Sequence, residues 1–171
     1  KDGVFASLIP AEEWLYDWYG RCGYTRNITC TPAPEGVDNM DFATFDSWQR
    51  TKDSVLLHDE EGFEIIKEDH RISLSIDPNA RRETKDIPGM IRIINAEKAL
   101  QLYANRHSEH AENIRVYDDS DIPMNNIYFE IKQGHVVRTN HPLPDTRSLT
   151  IAELADYIFK DDKLEMNLML N

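Results

Sequence analysis

Carboxylates, imidazoles, thiols and exposed-type aromatics are the side chains of this sequence that could do chemistry, and their spacing limits what that chemistry is. The pair Asp118-Asp119 with Asp121 could present a cation-binding rim, although an Asp-Asp-Ser-Asp run ahead of Ile122-Pro123 is in most proteins simply a turn. His107, His110, His135 and His141 lack the fixed helical spacing and carboxylate context of a zinc site, so no metal is expected. No glycine-framed serine elbow and no Cys/His pairing supports a hydrolase. Phe45 and Trp48 are candidates to border a substrate pocket, and their spacing equally suits burial. Trp14, Trp18 and Met90 are expected in the core.

Charge and cysteine usage exclude several function classes. With Lys plus Arg 19 against Asp plus Glu 31, the net charge of −12 argues against nucleic acid as a partner, because phosphate recognition needs clustered cations. An acidic surface can steer a cationic substrate, but it more often serves solubility. Cys22 and Cys30 are the only cysteines, with no CxxC or Cys/His cluster around them. A disulfide between them is geometrically open but has no support, and two cysteines fit a reducing cytoplasm better than a stapled secreted scaffold. No apolar run reaches the length of a membrane span and no cleavable signal is visible, so neither a membrane nor an export route is expected. The first residue is Lys1 rather than Met, which suggests that this is a piece of a longer protein.

The positioning elements can be read in order. A short apolar run, Phe5 to Ile9, stops at Pro10, which is tolerated at the first position of a helix. Glu12 and Glu13 then complement the helix dipole, Leu15, Trp18, Tyr19 and Cys22 mark one face, and Gly23 is the expected left-handed stop. Tyr24 to Ile28 reads as a second strand. The stretch Thr31 to Asn39, rich in Pro, Gly and cap formers, reads as a connection, with a boundary near residue 32. Phe42, Phe45, Trp48, Val55 and Leu56 predict one helix, and Gly62 separates it from a second carrying Phe63, Ile65 and Ile66. Strict alternation over Arg71 to Ile76 predicts a strand with one buried face, and Arg81 to Asp86 a solvated loop.

From Ile87 onward the chain reads as an α+β unit. Met90 to Ile94 is a buried-looking strand, and Asn95 caps a helix with Ala96, Ala99, Leu100 and Tyr103 on one face. Ile114 to Tyr117 is a strand. Asn126 to Lys132 and His135 to Thr139 form an antiparallel hairpin about Gln133-Gly134. Leu149 or Thr150 opens a helix carrying Ile151, Leu154, Ala155, Ile158 and Phe159, and the tail Leu164 to Asn171 is more apolar than a free terminus should be.

The front block, with Leu8-Ile9-Pro10-Ala11 and the helix ending Trp18-Tyr19-Gly20-Arg21-Cys22-Gly23-Tyr24, resembles the second half of the acetyl-transfer domain in the GNAT superfamily. The resemblance implies transfer of acetyl from acetyl-CoA to an amine, with Tyr19 as the general acid for the departing thiolate. The later unit is similar to the C-terminal, sterol-carrier-like domain of the enhanced intracellular survival (Eis) branch of bacterial GNAT enzymes. The matching words are Gly89-Met90-Ile91-Arg92-Ile93-Ile94-Asn95-Ala96-Glu97-Lys98-Ala99-Leu100, Asn125-Asn126 and Leu149-Thr150-Ile151-Ala152-Glu153-Leu154-Ala155, and they follow the front block in that branch's order.

The resulting expectation is an α+β chain in three parts. Residues 1–31 would end a GNAT domain, 32–86 would form a linker and an abbreviated central helical and strand segment resembling a second GNAT domain, and 87–171 the sterol-carrier-like domain. The cysteine usage and the lack of a visible signal make a cytoplasmic setting the default expectation, and the resemblance further implies an acceptor that is a small-molecule amine or a lysine side chain. It implies a homo-oligomer as well, since related enzymes form rings. The α-carboxylate of Asn171 would be the general base, with Leu168-Met169-Leu170 anchoring it. The family's glycine-rich turn for the CoA pyrophosphate is not in this sequence, so this chain alone would not bind acetyl-CoA in the family manner. The competing expectation is a non-catalytic sterol-carrier-like module that holds an apolar or regulatory ligand.

Overall fold

A computed structural model describes residues 3–31, 33–52, 54–76, 87–160 and 164–167. It has a mixed α+β architecture. The first half contains β1 (Phe5–Leu8), α1 (Glu13–Arg21), β2 (Thr25–Thr31), α2 (Phe42–Gln49), β3 (Val55–Leu56) and α3 (Glu60–Ile76). The second half contains β4 (Ile87–Ile93), α4 (Ala96–Arg106), β5 (Glu112–Tyr117), β6 (Tyr128–Lys132), β7 (His135–Thr139), β8 (Thr146–Thr150), α5 (Ile151–Phe159) and β9 (Leu164–Asn167). The chain divides into two compact units, one of Lys1–Asn27 with Met90–Asp161 and one of Ile28–Gly89 with Asp162–Asn171.

In the first unit β1 lies antiparallel to β4, with Phe5 opposite Ile93 and Leu8 opposite Met90. A second sheet runs in the order β7-β6-β5-β8. Its hairpin turn at Gln133-Gly134 has φ of 52° and 76°, the two positive values that a type I′ turn requires. The outermost strand, β8, is parallel to β5, pairing Asn113 with Thr146 through Tyr117 with Thr150. Apolar residues of β5 and β6 (Ile114, Val116, Phe129, Ile131) are buried with Leu100 of α4 and Leu154 of α5, which places the core between sheet and helices. α4 starts where Asn95 accepts a hydrogen bond from the Lys98 N–H at 3.0 Å. α5 starts on a full capping box between Thr150 and Glu153.

α1 differs from expectation at both its start and its face. Glu12 stays extended and its carbonyl accepts the Leu15 N–H at 3.0 Å, so the helix begins at Glu13 and Pro10 stands outside it. Tyr16 is its buried residue, roofed by the Arg26 guanidinium 4.0 Å above the ring. Trp14 and Trp18, expected inside, are 64% and 51% exposed. At 100° per residue the two tryptophans share the side opposite the one that Tyr16 turns inward.

The C-terminus of α1 follows the sequence closely. Tyr24 N–H bonds Tyr19 carbonyl at 3.2 Å and Gly23 N–H bonds Gly20 carbonyl at 3.0 Å, the two bonds of a Schellman motif, with Gly23 at φ 79°. A Cβ on Gly23 would stand 2.6 Å from Ile151 Cγ2. Gly23→Ala is therefore expected to cost about 1–3 kcal/mol, from left-handed strain plus the displaced Ile151, read as a lower midpoint in urea unfolding. A cost under a few tenths would mean that the turn relaxes freely.

In the second unit β9 runs parallel to both β2 and β3, pairing with Ile28–Thr31 on one and with Val55–Leu56 on the other. Its core is Val37, Phe45, Phe63 and Ile66. Two sequence expectations fail here. Val55–Leu56 is a strand rather than the end of a helix, because α2 closes at Gln49, whose buried amide is held by the His58 backbone at 2.9 Å through both its oxygen and its nitrogen. Gly62 lies inside the first turn of α3, donating its N–H to Asp59 Oδ1 at 2.9 Å, and separates nothing.

The Arg71 to Ile76 alternation belongs to the last turns of α3, not to a strand. Phe63, Ile66, His70 and Leu74 recur at intervals of 3, 4 and 4, so the helical face simply continues, and the alternating Ile72 and Ile76 are left exposed. The charged stretch 81–86 and the terminal residues Leu168 to Asn171 lie outside the described residues.

Candidate functional site

Tyr19 sits in the last turn of α1, half-buried, its ring held edge-on by two others. The Trp18 ring centroid is 4.9 Å away at an interplanar angle of 83°, and that of Tyr24 is 5.5 Å away at 64°. Such edge-to-face packing fixes a ring without consuming its hydroxyl. The Schellman turn immediately after it brings Gly20 to Gly23 to the wall of a cleft of about 200 Å³. Arg92 of β4, the Asp118 to Asp121 turn and the start of α5 form the other walls.

Arg92 organises this cleft. It is 6% exposed, and its guanidinium bonds Asp119 through Nη2 and Asp121 through Nη1, each at 2.6 Å. Asp119 also accepts from Asn125 Nδ2 at 2.9 Å and from the Ile122 N–H at 3.0 Å. Asn126 clips the Asp119 backbone at both its N–H, 2.8 Å, and its carbonyl, 3.1 Å. Asn125 in turn accepts the first N–H of α4, that of Ala96, at 3.0 Å. The acidic run is thus a turn built on a buried ion pair. As a rim for a cation it is incomplete, because the Asp119 carboxylate is consumed inside the protein.

A second polar constellation was not legible in the sequence. The Tyr157 hydroxyl of α5 donates to Glu112 Oε2 of β5 at 2.6 Å, and His110 Nε2 lies 2.8 Å from that hydroxyl and 3.0 Å from the same carboxylate oxygen. Arg147 Nε bonds the other oxygen at 2.8 Å. A carboxylate only accepts, so Nε2 of His110 carries the proton here. Burial alone would raise the Glu112 carboxyl, but the hydrogen bonds from Tyr157 and His110 outweigh it and hold the group below its ordinary 4.5. Burial first, and then Glu112, push the Tyr157 phenol upward. These partners stand 45 and 47 positions from Tyr157, which no local spacing rule reaches.

This network makes a pH-dependent contribution to stability. A carboxyl whose folded value is depressed stabilises the fold above its unfolded value, and that contribution is lost as pH falls through the folded value. Tyr157→Phe removes one of the depressing bonds. The variant is expected to lose about 1–2 kcal/mol at pH 7, with the deficit shrinking in acid as pH falls through the depressed Glu112 value and the carboxyl protonates in both proteins. Unfolding curves measured at several pH values check this, and a deficit that grows in acid would refute it.

The remaining sequence candidates divide between the units. Phe45 and Trp48 come together, ring centroids 5.7 Å apart, with Phe45 fully buried against Phe63 and Trp48 packed beside it in the core of the second unit. Tyr19 belongs to the first unit. Asn171 lies outside the described residues. Met90 is buried as expected. Cys22 and Cys30 are both free thiols, and burial raises Cys30 to about 11, which leaves it un-ionised at neutral pH. Among the described residues no three His, Cys, Asp or Glu side chains converge on a point that could hold a metal, and no helix is long and apolar enough to cross a membrane.

No protein-family model and no curated protein sequence matches the chain. Among solved structures, Eis1 from Mycobacterium abscessus aligns with it at a TM-score of 0.45 and 13% identity, over 91% of this chain and 63% of that one. The chain therefore spans a little under two thirds of that structure's length.

Proposed function

We propose that this chain is part of an acetyl-CoA-dependent N-acetyltransferase of the Eis type, in which Tyr19 is the general acid. The observation that carries the reading is local. β1, α1 and β2 follow one another as strand, helix and strand, and α1 closes in a Schellman turn that leaves the Tyr19 phenol half-exposed at its end, braced by Trp18 and Tyr24. The order of these elements along the chain supports the GNAT resemblance of residues 8–24. The order of parts proposed from the sequence, 1–31, 32–86 and 87–171, belongs to the same reading, as do an amine or lysine acceptor, a cytoplasmic setting and assembly into a homo-oligomer.

In the proposed reaction a neutral amine attacks the thioester carbonyl and the C–N bond forms. The C–S bond then breaks, and the departing thiolate takes the phenolic proton of Tyr19. The terminal carboxylate of Asn171 takes the amine's proton and releases it to solvent, and solvent returns a proton to Tyr19. A phenol at the sulfur lowers the barrier because it neutralises charge as the charge develops. The same reading has Trp48 and Phe45 bordering the acceptor pocket, Phe45, which is fully buried, through Trp48.

Acetyl-CoA turnover by the full-length protein against a panel of primary amines tests the reading. Release of free CoA that depends on both substrates supports it. Absence of turnover with every amine, together with retention of an apolar probe, supports the carrier-like module instead.

A further inference from the structure

Arg115 stands on the outer face of the sheet β7-β6-β5-β8. Its strand neighbours Ile114 and Val116 turn into the core with α4 and α5, so the period of two sends Arg115 and Tyr117 outward together. Tyr128 of β6 is paired directly opposite Arg115. The guanidinium carbon lies 5.9 Å from the Tyr117 ring centroid and 5.6 Å from that of Tyr128, both within reach of a cation–π contact.

Those ring contacts hold the guanidinium and use none of its N–H groups. Arg26, Arg50, Arg92, Arg138 and Arg147 are each paired with a carboxylate. Arg115, in a chain of net charge −12, has neither an ion pair nor a hydrogen-bond acceptor among the described residues. Among the same residues the Tyr117 and Tyr128 hydroxyls and the Asn140 side-chain amide have no hydrogen-bond partner either. All four side chains line one cleft of about 300 Å³. Its wall is fixed at Asn126, whose amide clamps the Asp119 backbone at the N–H and the carbonyl.

Three features of this cleft select a ligand. A guanidinium braced by two rings offers its fork of N–H donors to a carboxylate in two parallel bonds. The Tyr117 and Tyr128 rings offer a surface to a flat aromatic group. The Asp118 carboxylate in the same wall, on an acidic protein, penalises a second negative charge.

The geometry points to a binding site for a single-ring aromatic carboxylate in this cleft, its carboxylate on Arg115 and its ring against Tyr117 and Tyr128. The assignment is independent of the acetyl-transfer proposal, since no residue of the site takes part in that reaction.

Titration calorimetry of the full-length protein with benzoate, salicylate and phenylacetate tests it. At least one is expected to bind saturably, one per chain, with a Kd at or below about 1 mM. The neutral amide of that acid should bind at least about tenfold more weakly, the step that corresponds to a lost charged contact. Cyclohexanecarboxylate, which keeps the charge and loses the flat ring, should bind about threefold more weakly or worse. Phenyl phosphate, with its added charge, should also bind more weakly than the carboxylate. Arg115→Gln should weaken binding at least about tenfold and leave the melting temperature in place, because the side chain is exposed and holds no carboxylate partner among the described residues. No saturable binding by any of the acids, equal binding of the amide or of cyclohexanecarboxylate, equal or tighter binding of phenyl phosphate, or unchanged affinity in Arg115→Gln overturns the site.

Discussion

Tyr19→Phe is expected to lower kcat for acetyl transfer by the full-length protein by about 10²–10⁴-fold, the range that a positioned general acid supplies. The ring edges toward Trp18 and Tyr24 survive in phenylalanine, so the substitution removes one hydroxyl and leaves the packing intact. Substrate KM should change little, because the proton is needed only as the thiolate departs. Thermal melting of the two proteins should coincide. A variant that turns over within a few-fold of wild type would remove Tyr19 from the reaction and with it the main support for the enzymatic reading.

Asp119→Ala is expected to have the largest effect on stability, about 3–5 kcal/mol, because it leaves a buried guanidinium with only the exposed Asp121 as its partner. Arg92 and Asp119 have side chains 7% and 1% exposed, so water cannot take over the lost partner. The damage should extend beyond the pair. Asn125, which bonds Asp119, also satisfies the first N–H of α4, so the start of that helix loses its brace. Asp121→Asn, where the aspartate side chain is 56% exposed, should cost under about 1 kcal/mol by the same measurement, as partly exposed pairs do. Replacing Arg92 and Asp119 together by apolar residues should cost less than the sum of the single changes, since no unpaired charge remains. Chemical unfolding of wild type, the two single changes of the pair, their double change and Asp121→Asn decides the point, and a loss below about 1 kcal/mol for Asp119→Ala would show that the ion pair does not hold the turn.

Both expectations differ in how far the sequence could carry them. The end of α1 was readable because every interaction that makes it lies within six residues: Tyr19 through Tyr24 contains the whole Schellman motif. The same holds for Asn95 at α4, the Gln133-Gly134 turn and the helix opened by Thr150, each a local contest between backbone hydrogen bonds and capping side chains. Where periodicity was the only guide it misled in both directions. Six alternating residues at Arg71 to Ile76 fit a strand template, but they continue a face already set by Phe63 and Ile66, and the longer pattern won. β8 escaped notice for the opposite reason, since Thr146–Thr150 has one large apolar residue and owes its strand to pairing with β5.

The sequence by itself determined the α+β class, the order of most elements and the points where helices and turns begin and end, because those depend on residues a few positions apart. Only the tertiary structure decided that Trp14 and Trp18 face outward, that Asp119 is spent on Arg92 from 27 positions away, and that Tyr157, His110 and Glu112 meet. A buried charge must find its counterion wherever the fold supplies one, and that choice is made by three-dimensional packing rather than by spacing along the chain.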